Sequence, residues 1–89
     1  MKKSTEKPGL ISPQIRAARA LLGWTAAELA AAANVGVTTV RRAELTDAET
    51  AMTKANDLAV RNALEVAGVE FIDENGGGAG VRLRKRTKK

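Results

Sequence analysis

The side chains of this chain that could do chemistry are few, and their types point away from catalysis. Among 89 residues there is no His, Cys or Tyr, and the only serines are Ser4 and Ser12. The acidic pairs Asp47/Glu49 and Asp73/Glu74 fall in stretches that read as connections. Nucleophilic or general acid–base catalysis needs a base positioned beside its partner. The expectation is therefore a protein that is not an enzyme, with no cofactor and no metal. What remains is guanidinium and ammonium chemistry: Arg41 and Arg42 side by side, Lys2, Lys3 and Lys7 at one end, and the run from Arg82 to Lys89 at the other. Arginine's planar fork matches phosphate oxygens and the major-groove edge of guanine.

The distribution of charge sharpens this. The whole chain carries +5, yet residues 10–75 hold six basic and nine acidic side chains, a net −3. The positive charge lies in the tails, and Arg41 with Arg42 forms a basic point on an acidic body. That pattern fits a polyanion bound through one face and the tails. Gly76, Gly77, Gly78 and Gly80 do not make a phosphate cradle, because such loops open a helix. This one leads into a strand-like segment.

The element that must position Arg41 and Arg42 is the stretch 25–44, TAAELAAAANVGVTTVRRAE. It reads as two short helices joined by a tight turn. Thr25 with Glu28 three residues on is a capping box, and Trp24 with Leu29 fits a hydrophobic staple. Leu29, Ala30 and Ala33 give one small-residue face that admits a close second helix. Asn34 tolerates the left-handed conformation that ends helices, and Val35 is the turn's apolar plug. The second helix starts near Val37, with Val40 inward and Val37, Thr38, Arg41 and Arg42 outward.

These residues resemble the lambda-repressor/Cro-type (XRE-like) helix-turn-helix family. The match covers Leu29, Ala30, Ala33, Val35 and Val40 at its apolar positions, with Arg19 and Glu44, and extends more loosely over residues 12–69. The resemblance implies that the second helix lies in the major groove, with Val37, Thr38 and Arg42 at base edges and Arg41 nearer phosphates. Thr39, Thr25 and Lys54 complete the implied DNA-binding set. Arg19 falls on an inward stripe where a lone cation is costly, and the family pairs an Arg here with the Glu that is Glu44 in this chain. Ala26, Gly36 and Ala43 depart from the pattern, replacing a frequent Gln, a Ser/Thr cap and a bulkier apolar residue.

The remaining elements follow in order. Residues 1–9 read as a disordered basic arm. Ser12–Pro13 reads as an N-cap followed by Pro at the first helical position. Ile15, Ala18, Arg19 and Leu22 keep helical spacing to a stop at Gly23. After a polar connection, LTDAETAMT, Thr53 caps a helix running to about Ala67 and Gly68. Val60, Ala63, Leu64 and Ala67 form its inward face, while Asn56, Asp57, Arg61, Asn62 and Glu65 are expected mostly in solvent. Residues 69–84 alternate around the Gly-rich turn as a β-hairpin, and 85–89 form a basic tail. A lone hairpin is marginal, so it needs the helical core beneath it or a second copy beside it.

The expectation is an all-α, four-helix lambda-repressor-like DNA-binding domain at 10–68, with a C-terminal β-hairpin and basic tail. Its function would be sequence-specific binding of double-stranded DNA in transcription regulation, as a homodimer on a two-fold operator. The alternative is an antitoxin-like or other protein-interaction module with the same fold. With no apolar stretch near the ~20 residues of a membrane span and no apolar leader segment, no membrane association and a cytoplasmic location are expected.

Overall fold

The structure, a computed structural model, describes residues 9–74 and 76–84. The basic arm expected at 1–9, apart from Gly9, and the tail expected at 85–89 lie outside the described residues. Four helices precede a two-stranded antiparallel hairpin: α1 Ser12–Leu22, α2 Ala26–Ala33, α3 Val37–Ala43, α4 Lys54–Val66, β1 Val69–Ile72 and β2 Gly80–Leu83.

Local chemistry sets most of the boundaries. Thr25 Oγ1 accepts from the Glu28 N–H at 3.0 Å, and Glu28 Oε1 accepts from the Thr25 N–H at 2.8 Å, so two orphan donors at the start of α2 are satisfied reciprocally. Asn34 ends α2 in the left-handed region (φ 58°, ψ 45°), as Gly23 ends α1 (φ 70°). Thr53 accepts from the Asn56 N–H at 3.1 Å and opens α4. The start of α1 differs from expectation. Ile11 is its N-cap, and Ser12 and Pro13 occupy the first two helical positions. The Ser12 hydroxyl is buried and donates to the Ala43 carbonyl instead of capping its own helix. Gln14 caps from inside, its Oε1 accepting from the Ile11 N–H at 3.1 Å.

The core joins Leu10, Ile15, Ala18, Leu29, Ala30, Ala33, Val40, Ala43, Val60, Leu64 and Val69. Four of these are alanines, so backbones rather than long side chains meet at the helix crossings. The hairpin pairs Val69 with Leu83, Glu70 with Arg82, Phe71 with Val81 and Ile72 with Gly80. It lies on α1 and α4. Val69 is fully buried in the helical core, and Phe71 and Val81 pack against it. The Gln14 amide donates to the Gly80 carbonyl at 3.1 Å, so α1 also holds the hairpin through its backbone.

Two residues of α4 expected in solvent face inward. The Asp57 carboxylate accepts from the Leu10 N–H at 3.0 Å. Arg61 is only 3% exposed. Its guanidinium lies 4.9 Å from the Phe71 ring centroid and within 3.5 Å of Glu65 and 3.4 Å of Asp73. Arg61 sits one residue after Val60 on the inward side, and the hairpin folds over it, which helical spacing within α4 could not show. The aromatic face and two carboxylates keep the buried cation tolerable.

Arg61→Ala should therefore destabilise the protein. Asp73 and Glu65 keep 41% and 30% exposure and regain water when the partner is removed. The loss should then be roughly 1–3 kcal/mol, below that of a fully buried pair. Urea unfolding checks it, and an unchanged midpoint would mean that Arg61 does not hold the hairpin.

Candidate nucleic-acid interface

α3 has two unlike sides. Val40 and Ala43 are each 1% exposed and sit in the core, while Thr38, Arg41 and Arg42 are exposed. Thr38 and Arg42 stand one turn apart on the outer side, and Arg41 flanks them. Among the described residues no hydrogen bond or ion pair engages these three side chains. Val37 and Thr39 are half-buried, and Val37 packs against the core. Val37 was expected outward, but as the first residue of α3 it lies on the flank where its apolar side chain finds the core. That leaves Thr38, Arg41 and Arg42 as the exposed side chains of α3.

The polar contacts that hold α3 come from α1. The Arg19 guanidinium meets the Glu44 carboxylate bidentately, Nε at 2.6 Å from Oε2 and Nη2 at 2.8 Å from Oε1. Its Nη1 donates to the Trp24 carbonyl at 2.7 Å. One side chain thereby joins α1, the turn before α2 and the residue that ends α3. Hydrogen bonding to Glu44, with its charge, raises the Arg19 pKa against the lowering effect of burial. A raised arginine pKa stabilises at every pH below the ordinary arginine range and is lost only above it. From the Arg19 side, the contribution is constant around neutral pH.

Two further α1 residues, Arg16 and Ser12, to which the sequence reading gave no part in this site, act on the same place. Arg16 Nη1 donates to the carbonyls of Glu44 and Thr46, at 2.6 and 2.9 Å. The Ser12 hydroxyl takes the Ala43 carbonyl and shares a 2.7 Å hydrogen bond with Thr46. The carbonyls left over at the C-terminus of a helix need such donors. Ser12, Arg16 and Arg19 recur at helical spacing on α1, the one sequence signal that could have grouped them.

This clamp has an electrostatic consequence. Glu44, the acidic residue next to Arg41 and Arg42, spends its carboxylate on Arg19. The two arginines stand in the last turn of α3, where the helix dipole favours cations, and keep their charge toward solvent.

Of the other residues expected at DNA, Thr25 is exposed at the start of α2. Its hydroxyl oxygen accepts from Glu28, and its O–H proton remains available to a phosphate. Lys54 is exposed at the start of α4, outside the α2–α3 unit. Among the described residues, no group of three or more acidic side chains could hold a metal ion, and no helix is long and apolar enough to cross a membrane. No protein-family model matches the chain, and no curated protein matches it significantly.

Glu44→Ala should destabilise the fold by roughly 2–4 kcal/mol, since breaking a buried pair costs about 3–5 kcal/mol and partial exposure lessens it. Arg19 is 24% exposed and Glu44 10%. Arg19→Lys should recover only part of the stability, because an ammonium cannot make the bidentate contact and reach Trp24 as well. Thermal or urea unfolding of the two variants would show it. Equal stability of wild type and Glu44→Ala would remove the clamp from this role.

Proposed function

We propose that this protein is a sequence-specific, double-stranded DNA-binding transcriptional regulator in which α3 enters the major groove. The observation that carries the reading is the outer side of α3. Thr38, Arg41 and Arg42 are exposed together and unengaged, on a helix whose back and C-terminus are fixed. Reading base edges demands side chains free to bond and a helix held in one place. The resemblance of residues 25–44 to the lambda-repressor/Cro-type unit supports the same role.

In this reading Arg42 makes the bidentate contact with a guanine, Thr38 touches the neighbouring base, and Arg41, Thr25 and Lys54 meet phosphates. A helix of seven residues spans only a few base pairs. A dimer on a two-fold operator, with half-sites about 34 Å apart, supplies the missing length. The protein works in the cytoplasm without cofactor or catalysis. Lys85, Arg86, Lys88 and Lys89 add affinity for the polyanion without reading it.

Sites selected from random duplex, followed by titration at several salt concentrations, test this. Arg42→Ala should lose about 1–3 kcal/mol and relax one operator position. Removing residues 85–89 should weaken operator and random duplex alike. Every phosphate these residues neutralise steepens the slope of log K against log salt by about 0.9, so the shortened chain should show a flatter slope. If the shortened chain loses its preference for the operator while Arg42→Ala keeps it, the assignment is reversed. If no sequence is enriched, sequence-specific reading fails.

A further inference from the structure

We propose that Arg16 is a positioning residue for base discrimination: it sets the angle at which α3 meets the major groove without touching DNA itself. This role presupposes the DNA reading proposed above. The end of α3 that carries Arg41 and Arg42 has little apolar packing of its own. Beyond the half-buried Val37, only Val40 and Ala43 reach the core, and Ala43 contributes a single methyl group. A methyl makes few dispersion contacts, so it resists rotation of the helix about its axis poorly. Leu45, which follows the residue that ends α3, is 79% exposed and adds no anchor. At the other end the N-cap, Gly36, brings no side chain to close the first turn.

The carbonyls at the end of α3 show where the missing constraint comes from. Those of Val40, Arg41 and Arg42 accept from the chain itself, through the N–H groups of Glu44 and Leu45. For Ala43, Glu44 and Thr46 the donors lie on α1. Ser12 takes the Ala43 carbonyl, and Arg16 Nη1 takes those of Glu44 and Thr46, at 2.6 and 2.9 Å. The change of partner comes one residue after Arg42. Both N–H groups of one nitrogen are thereby spent on two carbonyls, which fixes direction as well as distance.

Arg16 differs in this from Arg19, Arg61 and Arg82, each of which meets a carboxylate. Among the described residues the half-buried Arg16 engages main-chain carbonyls alone. Arg19 grips the side chain of Glu44, which can turn about its own torsions as α3 moves. Arg16 grips the main chain, so any roll of α3 must stretch its bonds directly, and bonds from a charged donor are the stronger kind. A contact such as that of Arg42 with guanine tolerates misplacement of only about 0.5 Å or 10–20°. The hold of Arg16 on the backbone is what keeps Arg42 within that range.

Two variants of the full chain test this. Arg16→Met keeps the apolar stem and removes the donors, and Arg16→Lys, the milder change, replaces the fork by one ammonium. Dipolar couplings of backbone N–H groups in partly aligned protein report how each helix of the folded state is oriented, whatever its stability. In Arg16→Met, α3 should turn relative to α1 and α4, which keep their mutual orientation, with Arg16→Lys in between. Preference for the selected operator over random duplex should fall roughly tenfold in Arg16→Met, about the worth of one bidentate base contact. The slope of log K against log salt on random duplex should stay as in wild type. A slope flattened by about 0.9, with both duplexes weakened alike, makes Arg16 a phosphate contact and overturns the proposal. An α3 that keeps its wild-type orientation in both variants overturns it even where wild type selects an operator. A wild type that enriches no duplex sinks the DNA reading instead, and with it the link from helix angle to bases.

Discussion

A helix of seven residues is too short to hold itself together in water, so α3 exists by virtue of what grips it from behind and at its end. From behind, the grip is Val40 and Ala43 against the small-residue face of α2. At the end it is polar, and it comes from α1: Arg19 on the Glu44 carboxylate, Arg16 on the Glu44 and Thr46 carbonyls, Ser12 on the Ala43 carbonyl. The apolar contacts fix how near α3 lies. The directed contacts fix its rotation about its own axis, and with it the direction in which Thr38 and Arg42 point. An apolar pair of similar size in place of Arg19 and Glu44 would fill the space without holding that angle.

The hairpin depends on the helices in a comparable way. Two four-residue strands do not stand alone, and here they borrow stability at several points. Val69 is buried among helical side chains, Arg61 lies beneath Phe71, and Gln14 bonds the Gly80 carbonyl. The Arg84 N–H donates to the Gly68 carbonyl at 2.7 Å, and its guanidinium to the Glu65 carbonyl at 3.1 Å, closing the end of the ladder onto α4. Helices and hairpin thus share one core.

What could be read in advance was what local chemistry controls. The capping box of Thr25 and Glu28, the left-handed stops at Gly23 and Asn34, the inward set Leu29, Ala30, Ala33 and Val40, and the hairpin around the glycines all follow from neighbours in sequence. Arg61 was misplaced because its partners Phe71 and Asp73 belong to another element. Ser12 was misassigned for the same reason: a Ser before a Pro is a good cap, but a carbonyl 31 residues away claims its hydroxyl. Val37 shows the limit of assigning an outward face to the first turn of a helix, where an apolar side chain can bend to the core. The connection after α3 read as merely polar. The Thr46 hydroxyl in fact lies within hydrogen-bond reach of the Ala48 and Glu49 carbonyls and of the Ser12 hydroxyl, with its one proton to share among them, and Thr50 is buried.

The division of labour within α3 bears on how such a protein can change over evolutionary time. Val40, Ala43 and Glu44 hold the fold, whereas Thr38, Arg41 and Arg42 make no contact that the fold uses. Substitutions at exposed positions of this kind usually shift stability by less than about 0.5 kcal/mol. The outer side of α3 can therefore drift through many side-chain combinations while the scaffold stays intact. Duplicated copies could diverge there first, presenting a different surface without compensating changes elsewhere.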